Sequence, residues 1–390
     1  MRLAGISDGR PYGSNGRSIL SLQDHDEDTV SEVSLRNCVA TAIPKSGFER
    51  VGPIPGVAHP SLSRRLVTGR LASLSRPLLG AVATETVYRV SASDWLATVG
   101  PHIFTSHDGG RTWHHRQALA PTSGPTGVLP TAICRHHGTI YVGEYPLGDD
   151  VPRLLGSMDG GRTWQTVLEL PEIRHVHALQ VDPFGGDIWI TTGDTDVECH
   201  IGRLSVDGPG TTFEPVGGGS QEWRAVELAF TPDAVLWGVD CGYAETNRLY
   251  RFDRRDLDGG EVTPTQVGST TNSVYYAGSL PVDGTWWVAF ATAVETGQDR
   301  TNTDRETRGD DTARVLVAAD DSAFTSWDVL AAFRRRSRPA DYLPGVPSAN
   351  AYVYLDGDPE AGLFLNPFNT TTANGQVLQV SPGQLDALGG

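Results

Sequence analysis

Two histidines stand two residues apart in an apolar run, His175-Val176-His177-Ala178-Leu179. In an extended strand residues i and i+2 share a side, so both imidazoles face one way. Asp194 follows the next apolar run, Ile188-Trp189-Ile190. Together the three offer two nitrogens and a carboxylate, a donor set that suits a divalent metal; a hydrogen-bonded structural pair of histidines is the other reading. A polar residue recurs just after the second apolar run of successive segments: Glu144-Tyr145, Asp194, Asp240, Glu295, then Asn366 and Asn369. Such residues are ordinary turn formers, but carboxyls gathered at one place also suit glycosidic bond cleavage. That reaction needs a carboxylic acid on one side of the sugar and a second carboxylate or a tyrosine on the other. The candidate catalytic groups are therefore Glu144, Asp194, Asp240 and Tyr145. Arg224 can clamp a carboxylate or sulfate through two bonds. Tyr275 and Tyr276 offer nucleophiles or stacking faces, and with His175, His177, Arg224, Glu295, Asn366 and Asn369 they complete a candidate saccharide-binding set. No cofactor is expected beyond the divalent metal that His175, His177 and Asp194 could hold.

Elements that could bring these residues together are written as a repeat. Ser106-His107-Asp108-Gly109-Gly110-Arg111-Thr112-Trp113 returns as Ser157-Met158-Asp159-Gly160-Gly161-Arg162-Thr163-Trp164, 51 residues later. That interval is the length of a four-stranded propeller blade. In the octapeptide the Asp carboxylate can accept downstream backbone N–H groups. The glycines can take φ > 0, and the Trp supplies an apolar face. Worn copies stand at Ser205–Phe213 and Asp321–Trp327.

The octapeptide resembles the Asp-box of the bacterial neuraminidase repeat, a β-propeller family that includes the sialidases. The resemblance covers about Thr84 to the C-terminus. It implies an all-β fold, a six-bladed β-propeller of four-stranded antiparallel blades, with the box as a structural hairpin on the outer part of each blade. It also implies a saccharide or glycoconjugate as partner and a site at the mouth of the central channel. The family's Arg-Ile-Pro motif is not matched: the first blade offers Arg89-Val90-Ser91. A non-catalytic propeller that binds a glycan or protein partner, and a metal-dependent hydrolase or lyase using His175 and His177, are the alternatives.

Residues 1–35 read as a polar, mobile tail. Residues 36–83 read as a segment with a short amphipathic helix at Pro60–Leu79 and a strand able to close the ring, and residues 84–390 as the propeller. The polar run Thr296 to Asp311 reads as a mobile loop. His114-His115 and His136-His137 read as exposed pairs.

Composition bounds the setting. Net charge is −16, and of 31 basic residues only Lys45 is lysine. Asp outnumbers Glu by 31 to 16. An acidic, Asp-rich, Lys-poor chain matches the proteome of a halophilic archaeon, where carboxylates keep surfaces hydrated in molar salt. The same charge argues against nucleic acid as a partner. No apolar run approaches a membrane span, the N-terminus lacks a secretory apolar region, and the four cysteines lack metal-like spacing. A cytoplasmic location is expected.

Overall fold

The computed structural model describes residues 1–22, 30–56, 85–124, 126–206, 210–259, 262–296, 309–342 and 349–388. The fold is an all-β propeller of antiparallel blades. Among the described residues five four-stranded sheets stand separately, not six. Four of them run in chain order over residues 85–118, 133–169, 175–218 and 225–270. The fifth is made by Arg2–Ser7, Arg10–Ser14, Ser18–Leu22 and Phe48–Pro53.

The other nine strands form one continuous sheet. Within it Val274–Val282, Thr285–Val294, Thr312–Ala319 and Asp328–Arg334 make a four-strand ladder. Thr285–Val294 is ten residues long, and its end overruns the ladder to pair Ala293 with Tyr352. That joins it to Ala351–Asp358, Gly362–Phe368 and Val377–Val380, after which Val39–Ile43 and Ser31–Ser34 complete the sheet. Val377 pairs with Ile43, so an N-terminal strand is stitched beside a C-terminal one and the ring closes without a long free edge.

The expectation of a polar tail over residues 1–35 fails for a physical reason. Its apolar residues are few, but Leu3 and Ile19 are buried against neighbouring sheets, and Asn366 caps the Leu3 amide at 2.8 Å. The helix read at Pro60–Leu79, most of the loop between Thr296 and Asp311, and part of the worn octapeptide at Ser205–Phe213 lie outside the described residues. Among the described residues no helix is long and apolar enough to cross a membrane.

Burial falls from the axis outward. Central strands such as Ala234–Val239 are buried throughout because each blade is sandwiched between two others. Fourth strands such as His114–Ala118 carry polar, exposed residues, which blunts the open edges. The first strands, including His175–Val181, Ala225–Phe230, Val274–Val282 and Ala351–Asp358, lie side by side around the channel.

The two octapeptides turn the chain between third and fourth strands, and they fold alike. Ser106 Oγ donates to Asp108 at 2.7 Å and accepts Gly110 N–H at 2.8 Å. Asp108 also accepts Arg111 N–H, Thr112 N–H and Thr112 Oγ at 3.0, 2.9 and 2.6 Å. In the second copy Asp159 takes the equivalent bonds at 2.9, 2.9 and 2.7 Å. Gly110 and Gly161 sit at φ 83° and 86°, which side-chain-bearing residues rarely adopt. The bonds from Thr112 and Thr163, above all, hold both carboxyls well below the usual carboxylate range. Asp321–Trp327 is held differently: Ala323 and Phe324 are left-handed, and Thr325 Oγ donates to the Ser322 carbonyl at 2.7 Å.

Candidate functional site

The first strands carry register shifts near the same end of the channel. One falls between Val176 and Ala178, one between Val274 and Tyr276, and one between Ala225 and Leu228. His177 and Tyr275 are thus the extra residues of bulges, a device that re-aims a side chain. The His177 amide plane is steadied from behind, where Thr131 Oγ donates to its carbonyl at 2.5 Å. The two imidazoles converge with ring centroids 5.0 Å apart, and Tyr145 stacks on His175 at 3.9 Å.

Asp194 is the hub. It leaves the strand Ile188–Gly193 just before a turn in which Glu198 accepts Thr195 N–H and Oγ at 2.9 and 2.6 Å. Its carboxylate meets Arg224 at 3.0 Å, Arg174 at 3.2 Å, His175 Nε2 at 3.3 Å and His177 Nε2 at 3.7 Å. Burial alone would raise its pKa. The nearness of His175 and His177 and the charge of Arg224 overcome that and hold it well below the usual range. Gly193 makes room here, because a β-carbon would stand 3.0 Å from the His177 ring and 3.2 Å from Arg224, tighter than ordinary packing.

Arg224 ties this hub to a second acidic group. Its Nε lies 3.7 Å from Asp240, and Asp240 is in hydrogen-bonding contact with Glu295. Burial first, and the charge of Asp240 second, pushes Glu295 up to about 7, so a large share of it is protonated at neutrality. Tyr275 stands beside Glu295 and accepts Asn350 Nδ2 at 3.2 Å. Burial pushes the Tyr145 and Tyr275 phenols well above their ordinary value. For His175, burial lowers the imidazole value against the pull of Asp194.

Tyr145, His177, Asp240 and Tyr275 open onto a cavity of about 260 Å³ that continues along the channel past Tyr276 and Tyr354. Beyond those tyrosines burial raises Glu227 well above the carboxylate range and Asp356 to about 6.

Of the residues singled out in the sequence, Tyr145, His175, His177, Asp194, Arg224, Asp240, Tyr275 and Glu295 assemble at this mouth. Tyr276 lies deeper, packed on Tyr354 at 4.9 Å. Three others do not join the site. Glu144 is fully buried and spent on structure. It accepts Ala120 N–H at 2.8 Å and Arg153 N–H at 3.0 Å, and pairs with the Arg153 guanidinium at 2.6 and 2.9 Å. Asn366 holds the Leu3 amide and the Gln376 carbonyl. Asn369 takes the left-handed turn conformation at φ 58° and donates to the Asn350 carbonyl at 2.9 Å. Sequence reasoning missed Arg174, whose signal was its place next to His175, and Asn350, which no local pattern marks.

No protein-family model matches the chain, and no curated protein matches it in sequence. Among solved structures it is similar to hydrazine synthase of Kuenenia stuttgartiensis, at 11% identity over 70% of each chain with a TM-score of 0.44. It is similar to Hsv2 of Kluyveromyces lactis at 10% identity over 87% of this chain and 86% of that one, TM-score 0.40. It is also similar to the Hadza microbial sialidase Hz136 at 12% identity over 91% of this chain and 75% of that one, TM-score 0.43. Likenesses this distant carry no argument about function.

Proposed function

We propose that the channel mouth cleaves a glycosidic bond in a polar or acidic saccharide. The observation that carries this reading is the Glu295–Asp240 pair: two carboxyls in contact, one of them protonated near neutrality, at the edge of a cavity walled by Tyr145 and Tyr275. Carboxyls that touch are closer than the ~5–5.5 Å of a retaining pair or the ~6.5–9.5 Å of an inverting one. The pair therefore acts as one acid. It gives its proton to the departing sugar oxygen, and Arg224 beside Asp240 stabilises the negative charge left behind. Tyrosines whose phenols are pushed up make poor nucleophiles, so the attacking group is water on the His177 side of the cavity, and the proton it loses returns to the emptied Glu295–Asp240 pair, which restores the acid. The tyrosine rings serve as stacking faces for the sugar. Arg224 and Arg174 are already paired with Asp194, so neither is free to clamp a sialate carboxylate.

Membership of the Asp-box propellers belongs to the same proposal, supported by the matching hairpins at Asp108 and Asp159. So do a halophilic archaeal source, supported by the net charge of −16 and the single lysine, and a cytoplasmic location, supported by four free cysteines. Thermal stability that rises from dilute buffer to molar KCl would support the halophilic reading, and stability that falls would remove it.

The test is a cleavage screen in molar KCl against acidic and neutral oligosaccharides. It follows new reducing ends and unsaturated products, with Glu295→Gln and Asp240→Asn alongside. Turnover lost in both variants supports the reading. Silence across the panel with binding of a glycan intact moves the site to a non-catalytic glycan receptor.

A further inference from the structure

We propose that His175, His177 and Asp194 bind a first-row divalent metal ion at the channel mouth. His175 Nδ1 lies 3.3 Å from the Pro146 carbonyl, and His177 Nδ1 lies 2.9 Å from the Ala225 carbonyl. A carbonyl only accepts, so each Nδ1 carries the proton and each Nε2 is left with a bare lone pair. Both lone pairs then point at Asp194, itself an acceptor, from 3.3 and 3.7 Å. His175 Nε2 is buried and has no hydrogen-bond partner. The opposite tautomer merely moves the clash of acceptors to the carbonyl side. Either a second proton on each ring or a metal ion between the three groups resolves it, and the titration below tells the two apart.

Geometry agrees. Ligand atoms on a tetrahedral ion with bonds of about 2.1 Å stand about 3.4 Å apart; His175 Nε2 lies 3.3 Å from one Asp194 oxygen and His177 Nε2 3.7 Å from the other. All three donor atoms lie within 4.8 Å of one another. Carbonyls behind both ligating histidines are the outer shell such sites use to orient a ring. A carboxylate offers about four lone-pair positions, so Asp194 can accept Arg174 and Arg224 and still direct one pair to the ion. Repulsion between the ion and the two guanidiniums is offset in part by Asp240, 3.7 Å from Arg224. His177 and Tyr145 face the cavity, which leaves open coordination positions for water or a sugar oxygen. Two nitrogens and one carboxylate with open positions suit zinc, manganese or iron(II) rather than calcium or magnesium. Activation of the attacking water by the ion rests on the cleavage reading given above; binding of the ion does not.

The experiment is a metal titration of the folded, chelator-stripped protein, followed by calorimetry with Zn²⁺ and Mn²⁺ and by the visible spectrum with Co²⁺. One equivalent should bind, and His177→Ala should weaken it on the order of 100-fold or more, beyond the ~10–100-fold typical of an outer-shell change. His115→Ala is the control, because His102 and His115 form a surface pair 3.1 Å apart that can collect metal adventitiously. That variant should leave the affinity unchanged. If His177→Ala does not fold, Co²⁺ in the wild type answers instead, since intense bands of a low-coordinate nitrogen-ligated ion are expected. The proposal is overturned if the stripped wild type takes up no ion, if affinity follows His115, or if Co²⁺ shows only the weak spectrum of its aquo form. None of these readouts requires turnover, so failure of the cleavage screen and failure of this site are told apart.

Discussion

The aspartates of the octapeptide hairpins and the carboxyls of the channel mouth are the same chemistry under opposite rules. Asp108 and Asp159 stand near solvent and take every recorded bond from residues no more than four positions away. Asp194 is buried and draws Arg174 from 20 positions upstream and Arg224 from 30 downstream. In the hairpins the carboxylate shapes a turn and its charge is incidental. At the mouth the fold is already made, and the charges of five side chains are held in balance by burial and by each other. A local rule can be repeated down a sequence; a balance among blades can be built only once they have assembled.

The largest effect that would sharpen this contrast is catalytic. Glu295→Gln removes the acid proton and should reduce turnover by ~10²–10⁴-fold, measured on the substrate found in the screen; an unchanged rate would break the contrast at its active end. In the parent protein turnover should fall as pH rises through about 7, the value to which Glu295 is raised. Next comes Asp194→Ala. It leaves Arg174 and Arg224 without their carboxylate, and for a buried pair broken on one side the loss of stability is about 3–5 kcal/mol, readable by denaturant unfolding. Glu144→Gln should lose about 1.5–3 kcal/mol by weakening charged bonds to Arg153, yet keep turnover per folded molecule; lost turnover would return Glu144 to the site.

A smaller effect is the pH dependence of stability. Glu295 and Asp356 are raised in the folded state, so between their ordinary values and about 6 to 7 the native protein holds more protons than the unfolded chain. Their contribution therefore falls as pH climbs through that window, and Glu295→Gln should flatten the part of the slope that it causes. The smallest change is expected from Asp159→Asn, a lower melting temperature with turnover unchanged.

How much of this could be read in the sequence follows the same division. The hairpins were legible because all their bonds are local. His175, His177, Asp194, Asp240 and Glu295 were legible because each follows or occupies a strand at a recurring position. Glu144 occupies that position too, and only the return of the chain at Arg153 shows that its carboxylate is consumed. Asn366 and Asn369 fall to the same ambiguity between turn and site. The bulges that swing His177 and Tyr275 into the channel leave no mark in apolar periodicity. The blade count also went astray at the N-terminus. The run Arg2-Leu3-Ala4-Gly5-Ile6 alternates too weakly to announce a strand, and no octapeptide follows it.

The pairing of Ile43 with Val377 joins positions 334 residues apart. At a synthesis rate of about 5–20 residues per second, the ribosome needs roughly 17–67 s to travel between them. For that time the early strand waits with unmatched amides, and the nascent ring is an open spring that proteases and neighbouring chains can reach. Circularly permuted versions that bring the two strands together in sequence would shorten the wait. If the open interval limits yield, they should be recovered from cells in larger soluble amounts at the same final stability.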